Sequence, residues 1–212
     1  MRKGGRYDIS GLVEAQFEPG SRRRVLRNLL GIKSEKGMSH IENVALKQTE
    51  DALFRSGTYH KQYRFTAKDI CRIHEIWLGN IYEWAGEYRQ VKLEKGNFRF
   101  AFPLQIPRLM EELEKGPLHR HTPCCFNSRE RVIQALAEVH TELILIHPFR
   151  EGNGRVARIL ATLMAVQANF PPLDFRPILQ GSKKEKYIAA IHVGVRKDYK
   201  PMERVFGWAL RK

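Results

Sequence analysis

The chain is poor in cysteine: Cys71 and the adjacent Cys124 and Cys125 are all it has in 212 residues. Neighbouring cysteines rarely bond each other, and an odd count suits a reducing compartment. Long apolar runs are also missing. Runs such as Leu143 to Ile146 are far too short to span a bilayer. Met1-Arg2-Lys3-Gly4-Gly5-Arg6 is basic with no apolar stretch behind it, so it does not read as a secretory signal. These absences set the expectation of a cytoplasmic protein without membrane partners, delivery to another cell being left open. Internal repeats and low-complexity linkers are absent, and 28% charged residues exclude wholesale disorder.

Negative charge is scarce. Asp and Glu number 23 against 37 Lys and Arg, a formal net charge of +14. The excess favours anionic partners such as nucleotide phosphates, nucleic acid or an acidic protein, without choosing among them. The densest basic run, Arg22-Arg23-Arg24 with Arg27, has no aromatic residues interleaved, so a single-strand nucleic-acid face is not expected. His119 to Cys125 offers metal-ligand types but finds no second ligand pair at zinc spacing, and it reads as a loop.

At 42% hydrophobic, 212 residues support one domain with a small appendage. Residues 1–20 are weakly periodic and read as an irregular arm; residues 21–212 read as the domain. Val25, Leu26, Leu29, Leu30 and Ile32 follow helical spacing, and a second helix is expected over 37–55. Thr66-Ala67-Lys68-Asp69 has the form of a capping box before a helix ending near Asn80. From Tyr88 to Phe102, apolar residues alternate with Lys92 and Arg99 around the turn signal Glu94-Lys95-Gly96-Asn97, which predicts a β-hairpin. A helix over 103–115 should close at Gly116-Pro117. Asn127 with Glu130 should cap a long helix stopping at His147-Pro148. Another runs from about Gly152 to Phe170, Ser182 with Glu185 caps one more, and Pro201 opens the last. The fold class is mainly α with one hairpin.

The chemistry concentrates in His147-Pro148-Phe149-Arg150-Glu151-Gly152-Asn153-Gly154-Arg155-Val156-Ala157-Arg158. Two glycines around Asn153 allow backbone N–H groups to converge as an anion nest at a helix start. Arg155 and Arg158 share the first helical turn and suit phosphate. Glu151 beside an anion site makes sense if a hard cation lies between, the usual way to hold Mg²⁺. His147 can take a proton from an attacking hydroxyl. Together these describe nucleotidyl or phosphoryl transfer.

The same stretch resembles the Fic family signature His-x-Phe-x-Asp/Glu-Gly-Asn-Gly-Arg-x-x-Arg at every defined position. Ile81 to Arg89 is similar to the segment leading into that family's flap, and Lys95-Gly96-Asn97-Phe98-Arg99-Phe100 to the flap itself. The resemblance implies a Fic fold, a helical bundle with one β-hairpin flap, and transfer of AMP from ATP to a Ser, Thr or Tyr hydroxyl of a target protein. It implies His147 as general base, Phe149 as a core plug, and Glu151 as the Mg²⁺ ligand. Gly152, Asn153 and Gly154 would form the anion hole, and Arg155 and Arg158 would bind the β- and γ-phosphates. Val91, Lys92, Leu93, Phe98, Arg99 and Phe100 would dock the target, and Lys95, Gly96, Asn97 and Phe98 would reach the nucleotide. Trp84 and Tyr88 read as core or hairpin anchors.

Doc-like kinases on this scaffold differ at the second Gly and the last Arg. Gly154 and Arg158 therefore favour AMP transfer, with Doc-like phosphorylation or other nucleotidyl transfer as the enzymatic alternative. A basic nucleic-acid-binding module is the other alternative. Many Fic proteins carry Ser/Thr-x-x-x-Glu-Gly/Asn, whose Glu blocks the second motif arginine. Glu42-Asn43 invites the comparison, but Met38 holds the hydroxyl position and Ser39 is one residue too close. Helix 37–55 is therefore read as ordinary core, and an inhibitory Glu is expected from a small antitoxin partner.

Overall fold

The capping box at Thr66 is built as the sequence predicts. In the computed structural model, which describes residues 11–210, the Thr66 hydroxyl accepts from the Asp69 amide at 3.2 Å. The Asp69 carboxylate accepts from the Thr66 amide at 2.8 Å. Two otherwise orphaned donors are thus satisfied at the start of α2 (Ala67–Leu78). Its apolar residues Ile70, Ile73, Trp77 and Leu78 are buried. Before it runs α1 (Glu35–Arg55), capped by Ser34.

The centre of the molecule is a pair of helices, α5 (Arg129–Ile146) and α6 (Asn153–Gln167), joined by the loop 147–152. Both are buried over most of their circumference, which requires cover on several sides. α1 and α2 cover one side. α3 (Ile106–Leu113), α7 (Gly181–Gly194) and α8 (Lys200–Ala209) cover the rest. Arg129 donates to the Gly207 and Leu210 carbonyls at 3.0 and 2.9 Å, placing a cation at the end of α8. Among the described residues the sheet is a single short hairpin, β1 (Glu94–Lys95) and β2 (Phe98–Arg99), antiparallel with Lys95 opposite Phe98. Among the described residues no helix is long and apolar enough to cross a membrane.

Several expected boundaries move. Val25 to Ile32 is not a helix; Phe17 and Leu26 form an isolated antiparallel bridge, and Leu29 and Leu30 are exposed. The cause is local: Asn28 accepts from the Leu30 and Ile32 amides and donates to the Leu26 and Ile32 carbonyls, an alternative to helical bonding. Gly116-Pro117 does not close a helix. The chain passes through a π-helical turn, Glu114–Leu118, into the short α4 (His119–His121). Pro117, which has no backbone N–H to donate, lies inside this wider turn. Ser128, not Asn127, caps α5 by accepting from the Arg131 amide at 3.2 Å. Ser182 lies inside α7, whose cap is Gln180.

The hairpin turn is also tighter than expected. Glu94 and Lys95 are strand residues, and Gly96-Asn97 makes a two-residue loop with Gly96 at φ +58°. A glycine at the first central position permits that positive φ and suits a hairpin. In the proposed 1–20 arm, residues 1–10 lie outside the described residues. The rest carries a 3-10 turn, Val13–Ala15, with Glu14 buried.

Candidate active site

His147 is the C-cap of α5 and adopts a left-handed conformation, φ 53° and ψ 59°. The chain thereby turns off the helix axis while the ring stays at its end. Nδ1 lies 3.0 Å from the Ile144 carbonyl, which can only accept, so Nδ1 carries the proton and Nε2 keeps its lone pair. Phe100 of the hairpin stacks on the ring at 3.6 Å between centroids and 18° between planes. Burial, above all, pushes the imidazole down to about 4; the Ile144 bond opposes this, Arg89 adds to it, Glu151 opposes it and Lys95 adds to it. At neutral pH this is a neutral imidazole with a free acceptor nitrogen.

The loop behind it is held by buried polar contacts. Phe149 is fully buried and stacks on His74 at 3.9 Å. The Gly86 amide donates to His74 Nδ1 at 2.8 Å, so Nε2 carries the proton and donates to the Glu151 carbonyl at 3.1 Å. Asn153 is also buried: its Oδ1 accepts from the Phe149 amide at 2.8 Å and its Nδ2 donates to the Phe149 carbonyl at 2.7 Å. Gly152 has φ +83°, and a Cβ there would lie 2.5 Å from the Trp77 ring. α6 starts at Asn153, so the amides of Asn153 and Gly154 have no acceptor within the helix and present its positive end.

The two arginines of this turn differ in their surroundings. Arg155 donates to Glu42 at 2.9 Å, approaches Glu151 at 3.4 Å and lies over the Trp77 ring. Glu42 is 6% exposed, its other oxygen accepts from Tyr82 at 2.8 Å, and its backbone carbonyl accepts from Trp77. Arg158 faces the Tyr187 hydroxyl and Glu50, and burial lowers its pKa. Tyr187 reaches His140 Nε2 at 2.9 Å; His140 Nδ1 meets the Ala157 carbonyl at 3.2 Å and therefore holds the proton. Both acids come from α1, so that helix is more than ordinary core. Glu42 meets the first motif arginine and not the second.

A cleft of about 730 Å³ brings these groups together. His147, Glu151, Gly152, Asn153, Gly154, Arg155 and Arg158 line it from the helical side, and Leu93, Lys95, Gly96, Phe98 and Phe100 from the hairpin. Residues 64–165 match the Fic/DOC family model. The chain carries a Fic domain. It is 31% identical over 150 residues to the protein adenylyltransferase VbhT of Bartonella schoenbuchensis, covering 69% of this chain and 30% of that protein. It is 27% identical over 186 residues to the protein adenylyltransferase fic-1 of Caenorhabditis briggsae, covering 87% of this chain and 35% of that one. The chain thus spans about a third of the length of these curated relatives. The crystal structure of the VirB-translocated effector BepC of Bartonella tribocorum, with bound AMPPNP, superposes with a TM-score of 0.77 at 23% identity, covering 95% of this chain and 100% of that one. The Fic fold is shared.

Within the Fic domain some expected site residues lie elsewhere. Val91 is buried, at 5% exposure, and does not sit on an open strand edge. Lys92 and Arg99 line a second concavity on the hairpin with Leu93, Phe100 and Phe102. Asn97 is at the exposed turn, outside both linings. The Asn153 side chain is committed to Phe149, leaving its backbone to face an anion.

Sequence reasoning missed Glu42, Arg89, His74 and Tyr187. Only Glu42 carried a local signal, and Met38 outweighed it. The other three depend on tertiary partners far along the chain.

Proposed function

We propose that this chain is a protein adenylyltransferase that moves the AMP part of ATP to a Ser, Thr or Tyr hydroxyl of another protein. One observation carries the reading: His147, with Nε2 unprotonated, shares a cleft with the start of α6 and with Arg158. ATP phosphates would lie on the Gly152–Gly154 backbone and the motif arginines. His147 Nε2 takes the target hydroxyl proton. The hydroxyl oxygen forms a bond to the α-phosphorus, the bond from that phosphorus to the bridging oxygen breaks, and pyrophosphate leaves. The neutral imidazole is the form that can accept the proton.

Glu151 is half-exposed at the cleft wall, and no cluster of three His, Cys, Asp or Glu surrounds it among the described residues. This donor set fits Mg²⁺, which commonly takes one or two carboxylates and completes its shell with phosphate oxygens and water. Glu151 would hold it, and the ion would supply charge neutralisation on the phosphates. The hairpin would receive the target by strand addition.

Arg155 is already paired with Glu42. That pair supports restraint from within the chain, with α1 withholding an arginine from phosphate, over a Glu supplied by a separate antitoxin. Glu42→Gly should then raise transfer by the isolated chain. Recovery of a tight small partner on co-expression, with no effect of Glu42→Gly, would return the antitoxin reading.

The test of the function is incubation with lysate, Mg²⁺ and ATP labelled on the α-phosphate, beside His147→Ala, in wild-type and Glu42→Gly chains. Label on protein that requires His147 supports the reading. Label transferred only from γ-labelled ATP would indicate a Doc-like kinase. Salt-sensitive nucleic-acid binding unaffected by His147→Ala, without label transfer, would indicate a binding module.

A further inference from the structure

Arg89 lies outside the motif and is 2% exposed. Its guanidinium spends its donors on backbone carbonyls. Nε donates to His147 at 2.7 Å, Nη1 to Val91 at 2.7 Å, and Nη2 to Ala101 at 2.7 Å and Ile146 at 3.5 Å. The Arg89 amide donates to Pro148 at 2.8 Å. Val91 and Ala101 are the two roots of the hairpin. Ile146, His147 and Pro148 are the end of α5 and the start of the motif loop.

One planar cation therefore ties both roots of the hairpin to the backbone of the proposed base. Its donors point in fixed directions, which a lysine ammonium cannot reproduce. Its position near the end of α5 also suits the negative pole of that helix. The buried charge is not alone, because Glu14 lies near Arg89 and Arg150, and its carboxylate accepts from the Gln90 amide at 2.5 Å. Arg150 in turn donates to the Glu14 carbonyl at 2.9 Å. At the hairpin's underside, next to the tie, Phe100 rests on His147.

We propose that Arg89 is a positioning residue that sets the distance between the target-docking hairpin and His147, so that a hydroxyl carried by the hairpin arrives within reach of Nε2. This rests on the adenylyl-transfer reading and adds to it a residue that touches neither nucleotide nor target. None of the Arg89 side-chain bonds is to Gly152–Arg158, where the phosphates would lie, so the phosphate end of the cleft is not held by Arg89 directly. A geometric error of about 1 Å at a reacting centre can cost on the order of 10²-fold in rate.

The experiment uses the full chain with Arg89→Gln and Arg89→Lys, both in the Glu42→Gly background. Three quantities are read: ATP affinity by calorimetry with Mg²⁺, the rate of label transfer to a protein band, and the NMR shifts of the His147 ring protons. Phe100→Leu provides the reference for loss of the stacked ring. Arg89→Gln should keep ATP affinity within about twofold and lower transfer on the order of 10²-fold. It should move the His147 ring shifts toward those of Phe100→Leu, and Arg89→Lys should fall between. Unchanged transfer and unchanged ring shifts would overturn the proposal. So would a parallel fall of ATP affinity, transfer and melting temperature in both variants, which marks a residue needed only for folding. If the parent chain labels nothing, the adenylyl-transfer reading fails, and the ring shifts still decide whether Arg89 couples the hairpin to His147.

Discussion

The floor and the roof of the cleft are built by opposite rules. On the floor, buried side chains pin the backbone of the motif loop: Asn153 holds both backbone groups of Phe149, and His74 holds the Glu151 carbonyl. The roof is a hairpin of two residues per strand, most of it exposed, whose Phe98 and Phe100 rest on His192 and His147. On the adenylyl-transfer reading, the chemistry would sit where geometry is over-determined and the target protein would meet the part that is not. Such a division suits a transferase whose small substrate is constant and whose protein partner must enter and leave.

This contrast can be broken at several points, with effects of decreasing size. His147→Ala should reduce label transfer on the order of 10²–10⁴-fold, the range for a lost general base, without unfolding the chain. An equal loss of thermal stability would instead make His147 a structural cap. Next comes acid. His74 and His140 are buried, and burial lowers them to about 4 and about 3. An unfolded chain protonates them near 6.5, so the folded state binds fewer protons between the two values and loses stability as pH falls through that window. For His74 alone the loss is about 3 kcal/mol between pH 6.5 and pH 4. Urea unfolding at pH 7 and pH 4.5 should show it, and His74→Gln should flatten the pH dependence.

Asn153→Ala should cost about 2–4 kcal/mol, because it strands a buried amide and a buried carbonyl of Phe149. Denaturant midpoints measure this, and a neutral result would mean that the floor is not held as described. On the roof, Arg99→Ala removes only an exposed pair with Glu94 at 3.8 Å, and stability should stay within about 0.5 kcal/mol. A large loss there would make the hairpin part of the rigid frame.

Much of the floor was legible in the sequence because it is local. The motif spans twelve consecutive residues, and Thr66 to Asp69 announces its own helix. The roof was legible as a hairpin from alternation and Gly96, though its turn was drawn too wide. What failed depended on distance or on competing side-chain bonds. Val25 to Ile32 has helical spacing, yet Asn28 rewires its backbone. Arg89 sits far along the chain from the His147 it supports. Glu42 was read against a sequence pattern that asks for a hydroxyl four residues earlier, whereas its carboxylate is placed by Tyr82 and by Trp77 on its backbone.

The most direct measurement is the intact mass of a labelled target after reaction with ATP and Mg²⁺, using the Glu42→Gly chain with and without His147→Ala. The account predicts an increment equal to one adenosine monophosphate residue, present only with His147. An increment equal to a single phosphate, or an AMP adduct that persists in His147→Ala, would contradict it.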